Sequence, residues 1–250
     1  MNVSTGTTVS GEQPVALDDA TRLRSTPYSE YLSLPQVLSA QHPRGLDGSH
    51  HARSAEHLFI VAHQSSEMWI KQVLLDCSTV AAELKSERGR LHEVRDLLIR
   101  ISDVINLLVA NMSILSRLSA QHFAQFRPRL GEASGAQSDQ LRRLFSYLGL
   151  PRGRSTLMLA FLDTLDRRNL TLSEIFLRGA EGGVLFDIAE AFTGVAESMW
   201  AWQVAHVQVT HRMLGRSPGT GGSDGVDYLM RRAAFPFPEI WEAKASLHRS

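Results

Sequence analysis

The chain has 250 residues, 43% of them hydrophobic, which is enough for one large domain with a substantial core. Its 26 basic and 26 acidic residues balance, so no net charge favours nucleic acid or an anionic membrane as a partner. The single cysteine, Cys77, excludes an intrachain disulfide and favours a reducing, cytoplasmic setting. No secretory signal is recognisable, and no apolar stretch approaches the roughly 20 residues that span a bilayer. We therefore expect a soluble protein.

The N-terminal region differs in composition from the rest of the chain. Residues 1–26 are rich in Ser, Thr and Gly and predict a flexible arm, followed by a single domain over 27–250. A short helical segment interrupted by Pro35 is predicted between 27 and 41. The residues at 42–53 predict a loop.

Helical periodicity dominates the rest of the sequence. Apolar residues recurring every three or four positions predict helices at 54–87, 91–123, 138–148, 155–166, 171–178 and 184–214. No proline interrupts the second of these, and alternating strand patterns are nearly absent. The sequence therefore predicts an all-α fold, a bundle of long antiparallel helices.

One histidine interrupts the apolar face of the last long helix. His206 follows Trp202 and precedes Val209 on a stripe with steps of three and four residues. Burying an imidazole costs free energy unless its nitrogens find partners, and iron or zinc is one such partner. A core histidine satisfied by polar neighbours is the alternative that the sequence leaves open.

A polar pair lies on the first long helix. His63 and Glu67 are four residues apart and therefore share a face, near Phe59. His63 is suited to act as a base or hydrogen-bond donor above a bound cofactor or substrate. The alternative is a partly buried pair that only fixes helix packing.

Two connections carry groups suited to binding a small zwitterion. Arg127, followed by Pro128, offers a fixed fork for a carboxylate, although a solvated arginine in an ordinary connection is the alternative. The loop at 219–225 follows a helix and lacks a P-loop lysine, which excludes nucleotide binding. Thr220 and the neighbouring N–H groups are suited to a carboxylate or an ammonium, whereas a helix stop is already provided by Gly215.

Four blocks of sequence, taken together, resemble the tryptophan 2,3-dioxygenase superfamily of histidine-ligated haem enzymes. They are residues 28–34, residues 57–72, residues 126–138, and the region from Trp202 to Trp241 that includes Gly-Thr-Gly-Gly-Ser at 219–223. The resemblance implies an all-α bundle around a haem pocket, with haem b and its iron as cofactor. It also implies an aromatic amino acid and O2 as substrates, and a homotetramer.

The resemblance further implies roles at the haem. His206 matches the ligand of the haem iron, and Ser134, Gly135 and Trp69 match positions beside the haem. His63 matches the histidine that faces the indole N–H of the substrate on the opposite side. Structural zinc at His50, His51 and His57 is excluded, because the chain lacks the cysteines and the i,i+4 histidine pair of such sites.

Substrate contacts are implied in the same way. Phe59 matches a wall of the indole pocket, Arg127 the clamp of the substrate carboxylate, and Thr220 the residue that holds the amino-acid head group. An N-terminal segment that a neighbouring subunit inserts into the site is matched by Tyr28, Tyr31 and Leu32.

The sequence departs from the family pattern at three positions near the site. Ala55 stands where the family has aspartate, Ala136 where it has phenylalanine, and Phe123 where tyrosine is common. Less volume and one hydroxyl fewer predict a wider, less polar site that accepts a substituted, for example methylated, tryptophan. The alternatives are a monooxygenase giving a 2-oxindole or hydroxylated product, a tyrosine hydroxylase, and a haem-binding sensor without catalysis.

Overall fold

The computed structural model describes residues 25–44, 50–220, 222 and 224–249. Within these ranges the regular secondary structure is helical throughout, which confirms the predicted all-α class. The arm predicted over 1–26 lies almost wholly outside the described residues, as do Gly221 and Ser223 of the glycine loop. Chain contacts divide the protein into two units, one ending at His42 and one beginning at Pro43.

The first unit contains two short helices, α1 (Pro27–Tyr31) and α2 (Leu34–Leu38). A capping box begins α1, in which Thr26 and Ser29 each accept a backbone N–H of the other. The break between the helices precedes Pro35, contrary to the prediction, and is made by Ser33 with a left-handed φ of 51°. Pro35 lies in the first turn of α2, where a missing N–H costs no helical hydrogen bond.

The second unit contains nine described α-helices. They are α3 (His50–Lys85), α4 (Leu91–Leu115), α5 (Ala120–Phe126), α6 (Asp139–Leu148), α7 (Thr156–Asp166), α8 (Leu172–Arg178), α9 (Val184–Leu214), α10 (Val226–Arg232) and α11 (Pro238–Ser246). Short 3-10 helices lie at Arg127–Leu130, Gly135–Gln137 and Gly179–Gly182. Most predicted helices agree within a few residues.

The prediction of one helix over 91–123 is wrong, because α4 ends at Leu115 and a separate helix, α5, begins at Ala120. The hydroxyls of Ser113 and Ser116 donate to backbone carbonyls three residues back, each at 2.7 Å, in competition with helical hydrogen bonds. Ser119 then takes an extended conformation with φ of −67° and ψ of 129°. The change of direction packs α5 against α3.

The helices α3 and α4 form an antiparallel pair joined by a short turn. The Asn111 side chain donates to the carbonyl oxygen of Ala62 at 2.8 Å, near one end of the pair. Toward the other end, the Arg100 guanidinium donates to both carboxylate oxygens of buried Asp76, at 2.6 and 2.9 Å. These contacts fix the register of the pair.

The helices α4 and α9 run parallel. The sequence predicted a bundle of antiparallel helices and did not indicate this parallel pair. Arg95 pairs with Asp187, and seven residues later along both helices the Ser102 hydroxyl donates to the carbonyl of Gly194 at 3.2 Å. The Ser102 hydroxyl also lies 2.7 Å from the hydroxyl of Ser198, one turn further along α9. Because α3 runs antiparallel to α4, it also runs antiparallel to α9.

By length and composition, α4 is apolar enough to cross a membrane, with a mean hydropathy of 1.6 over its most apolar stretch. The expectation that no segment meets this criterion is therefore wrong. Val94, Leu98, Ile101 and Ile105 of this helix are completely buried against α3 and α9. Packing between two helices accounts for these positions, whereas Ile99, Leu107 and Ile114 of the same helix are exposed.

Candidate active site

Three phenylalanine rings form an aromatic wall where α5 packs against α3. The Phe59 ring centroid lies 5.9 Å from that of Phe123 and 5.5 Å from that of Phe126. Phe123 and Phe126 are buried, together with Leu118 and Ala55, in a small cluster separate from the main core. Such a wall is suited to packing against a flat apolar ring.

His63 lies one helical turn beyond this wall, and its protonation is fixed by the backbone. Its Nδ1 lies 2.7 Å from the carbonyl oxygen of Phe59, and the two rings lie 4.0 Å apart. A carbonyl only accepts, so Nδ1 carries the proton and Nε2 carries a lone pair. Burial lowers the pKa of His63, only partly opposed by the Phe59 hydrogen bond and the Glu67 charge. The site therefore presents a neutral imidazole with one acceptor nitrogen.

Glu67, the other member of the predicted polar pair, has a packing role. Its carboxylate accepts from the Gln140 amide at 2.7 Å, and the same amide donates to its backbone carbonyl at 3.0 Å. These bonds join α3 to α6. The packing alternative therefore describes Glu67. The His63 ring takes no part in these bonds and is hydrogen-bonded to the Phe59 carbonyl instead.

His206 lies where the apolar stripe of α9 emerges from the core. Val195, Met199 and Trp202 of this stripe are buried, whereas His206 and the residues after it are half-buried. Burial, and to a smaller extent a charge on His63, lowers the pKa of His206 to about 4. Met213 and Leu214 at the end of α9 pack against the same cluster as Phe59, so α9 contacts the aromatic wall.

The groups around His206 fit the haem that the sequence resemblance implies. Within the described part of the chain, neither ring nitrogen of His206 has a hydrogen-bond partner, so a lone pair is free for a metal. The Trp202 ring lies 5.2 Å from the imidazole, and its buried indole N–H is also without a partner. A neutral histidine with a free lone pair, on the helix whose Met213 and Leu214 pack against the aromatic cluster, fits the donor that a haem iron binding O2 requires.

Arg127 begins the 3-10 helix that follows α5, and it contacts the glycine loop. Its Nη2 donates to the carbonyl oxygen of Pro218 at 2.5 Å, across 91 residues of sequence. Its Nε is buried and has no partner in the structure. Half-buried Thr220 lies two residues beyond Pro218. The structure therefore brings the predicted carboxylate clamp to the loop that carries the predicted head-group residue.

The two ends of the glycine loop approach each other closely through their backbones. Gly225 has a φ of 62°, and a Cβ there would lie 2.7 Å from the carbonyl oxygen of Ser217. Only glycine fits this left-handed, close approach. An ion pair between Arg231 and Asp224 joins α10 to the end of the loop. The loop that carries Thr220 is thus anchored at both ends.

The positions predicted beside the haem lie on separate elements. Ser134 begins the 3-10 helix at Gly135–Gln137, where its hydroxyl accepts from the N–H of Ala136 at 3.3 Å. Gly135 is exposed, and a Cβ there would meet open space. Trp69 is 42% exposed on α3. No described contact joins these residues to His63 or His206, so their roles stay predictions.

The N-terminal residues predicted to act in a neighbouring site are exposed in the first unit. Tyr28 is 69% exposed, Tyr31 89% and Leu32 41%. Exposed aromatic side chains are costly to leave in water, which is consistent with an intermolecular role. That role also stays a prediction.

Sequence reasoning missed two parts of the site. Phe126 was not assigned a role, although its spacing of three residues from Phe123 places both rings on one helical face. The Pro218 carbonyl that anchors Arg127 carried no signal, because a backbone oxygen looks the same at every position.

Comparisons with known proteins identify the family of this chain. The family model described as tryptophan 2,3-dioxygenase matches residues 13–158 and 167–247. A tryptophan 2,3-dioxygenase of Pseudomonas fluorescens is 29% identical, over 89% of this chain and 92% of that protein. Similar proteins of the same name from Pseudomonas aeruginosa and Cupriavidus necator are 29% and 28% identical, each over 88% of this chain and over 89% and 87% of their own lengths. The chain therefore belongs to the tryptophan 2,3-dioxygenase family, and it is a haem-dependent oxygenase with haem b and its iron as cofactor.

Proposed function

We propose that the chain inserts oxygen from O2 into the indole ring of L-tryptophan or of a substituted tryptophan. The observation that carries this proposal is the fixed tautomer of His63. Its Nδ1–H is held by the Phe59 carbonyl, so Nε2 is an acceptor beside an aromatic wall. An indole needs apolar surface for its rings and one acceptor for its N–H. A phenol is served less well by this arrangement.

His206 is the proposed ligand of the haem iron. Haem b supplies the iron centre that binds and activates O2, and the protein supplies position and electrostatics. The depressed pKa of His206 keeps its imidazole neutral and able to donate a lone pair. We place Ser134, Gly135 and Trp69 at the edges of the cofactor.

Arg127 and Thr220 are the proposed grip on the amino-acid head group. The buried Nε of Arg127 has no partner among the described residues, and a guanidinium edge forms two parallel hydrogen bonds with a carboxylate. The bond to the Pro218 carbonyl fixes this guanidinium relative to the loop, and therefore relative to Thr220. Holding the head group there positions the indole between His63 and the haem.

The active assembly we propose is a homotetramer. In it, the N-terminal segment of one copy enters the site of a neighbour, where its aromatic and apolar side chains cover the substrate. Support comes from the exposure of the three side chains concerned, Tyr28, Tyr31 and Leu32. Enclosure of this kind excludes water from the reacting groups.

Substituted substrates are supported by two departures from the family pattern. Phe123, where tyrosine is common, is buried against Phe126 and contacts Phe59, so the wall carries no hydroxyl at that point. Ala136 is exposed and removes the volume of a ring beside Gly135. A methyl group on the side chain or the indole finds more space and less polarity in such a site.

Mass spectrometry of the product tests the proposal directly. Haem-loaded protein is supplied with O2, a reductant and either L-tryptophan or β-methyltryptophan, with L-tyrosine as the comparison. We expect both indoles to gain oxygen from isotopically labelled O2. A gain of two atoms shows dioxygenation and a gain of one shows monooxygenation. Turnover of tyrosine with neither indole consumed would refute the assignment.

A further inference from the structure

A solvent-open cavity of about 660 Å³ lies near the N-terminal end of α3. Its walls come from the first turns of α3, the connection between α4 and α5, and α5 itself. Ala55, Leu58 and Leu118 form an apolar floor. Since Ala55 and Leu118 also pack with Phe123 and Phe126, the cavity lies behind the aromatic wall of the active site. Its volume is typical of small-molecule sites.

The polar groups around this cavity are almost all hydrogen-bond donors or cations. They are His51, Ser54 and His57 from α3, and Arg117, Ser119 and His122 from the opposite side. No carboxylate is among the described residues that line it. A guanidinium, three imidazoles and two hydroxyls therefore converge, and no described lining residue supplies an anion.

Two of these groups have no competing side-chain interaction among the described residues. Arg117 forms no ion pair with any described residue, and the Ser119 hydroxyl makes no capping hydrogen bond to α5. The rings of His51 and His122 stack, with centroids 6.0 Å apart. Among the described residues these imidazoles do not form a metal-ligating group, which favours an organic or inorganic anion over a cation.

The floor of the cavity carries no charge of its own. Ala55, a buried residue of α3, lines it with a methyl group. An aspartate at this position would bring a negative charge to within one side chain of the donors.

We propose that this cavity is a second binding site, for a small carboxylate with an aromatic or apolar body. The carboxylate binds the guanidinium of Arg117 and the neighbouring N–H and O–H donors, while the body packs on Ala55, Leu58 and Leu118. This site is independent of the proposed reaction, because it uses none of the groups placed at the haem or on the substrate head group.

Calorimetric titration of the haem-loaded protein with benzoate tests the proposal. The titration is done without O2 and with saturating L-tryptophan, so that the active site is occupied and no turnover takes place. Benzamide has the same ring without the charge, and inorganic phosphate has the charge without the ring. We expect benzoate to bind at least about tenfold more tightly than either, because only benzoate satisfies both halves of the site.

Two variants locate the binding. Arg117→Gln is expected to weaken benzoate at least about tenfold, whereas Arg129→Gln, a matched exchange outside the cavity, leaves it unchanged. Ala55→Asp places a carboxylate among the donors and is expected to abolish binding. Ala55 is buried, so the exposed Arg117 variant decides the matter if the aspartate variant does not fold. Equal affinity for benzamide, unchanged affinity in Arg117→Gln, or competition between benzoate and tryptophan would each overturn the proposal.

Discussion

Replacing Arg127 with glutamine separates a carboxylate clamp from a structural arginine. The side chain has one described partner, the Pro218 carbonyl, and a buried Nε that is unpaired. A bidentate carboxylate adds two charge-assisted hydrogen bonds, each contributing about 1.5–3 kcal/mol, although two bonds to one group are less than additive. A total of about 3 kcal/mol corresponds to a loss of about 150-fold in kcat/KM for tryptophan.

Steady-state kinetics on haem-loaded protein measures this loss, with Arg129→Gln as the matched control. Arg129 lies on the same 3-10 helix and donates to the Gln125 carbonyl at 3.1 Å, away from the glycine loop. Its exchange is expected to change kcat/KM less than about threefold, as is usual for exposed sites. A loss in Arg129→Gln as large as that in Arg127→Gln would show that the helix, not the clamp, is responsible.

Tryptamine, which lacks the carboxylate, distinguishes clamping from loop positioning. If Arg127 binds the carboxylate, wild type and Arg127→Gln use tryptamine about equally. Tryptamine has no carboxylate, so the guanidinium has nothing to bind even in the wild-type enzyme. If Arg127 acts only by holding Pro218, the displaced loop impairs tryptamine as much as tryptophan. Equal impairment of the two substrates, or an unchanged KM for tryptophan, refutes the assignment.

Three further predictions concern the cofactor, the thiol and the core. His206→Ala is expected to lose the Soret band of the haem, whereas the exposed His211→Ala keeps it, as absorbance after haemin loading will show. Burial raises the pKa of Cys77 to about 12, so a disulfide reagent at pH 8 is expected to react only after unfolding; rapid reaction of folded protein would contradict this. Leu98→Ala removes a completely buried side chain and should lower the free energy of unfolding by about 2–5 kcal/mol. The adjacent Ile99→Ala, at a 47% exposed position, should cost less than about 1 kcal/mol in the same denaturant titration.

The helices could be predicted from the sequence because one face of each is buried. The periodic stripe of α4 became its packed face, and the bounds of α9 at 184 and 214 agree with the prediction. Periodicity indicates which face is buried but carries no information about the direction of a neighbour. The parallel packing of α4 on α9 therefore became visible only through pairs such as Ser102 and Gly194.

The site was predictable where its geometry is local. The four-residue spacing of Phe59 and His63 fixes their contact within one turn of α3. In contrast, the bond between Arg127 and Pro218 joins residues 91 positions apart, and the break before α5 depends on weak serine signals. Neither can be deduced without knowing how the helices pack, so the sequence indicated the chemical groups of the site but only part of their arrangement.

Two histidines with similar local sequence differ in whether a ring nitrogen is hydrogen-bonded to the backbone. Each follows an aromatic residue by four positions, His63 after Phe59 and His206 after Trp202, and each ring contacts that residue. His63 uses its Nδ1–H on the carbonyl one turn back, which leaves Nε2 as an acceptor for an N–H group. In the described structure His206 has no such bond, so a lone pair stays free for iron. Both neutral imidazoles therefore keep a lone pair, and the described structure fixes which nitrogen carries it only at His63, through the hydrogen bond to the Phe59 carbonyl.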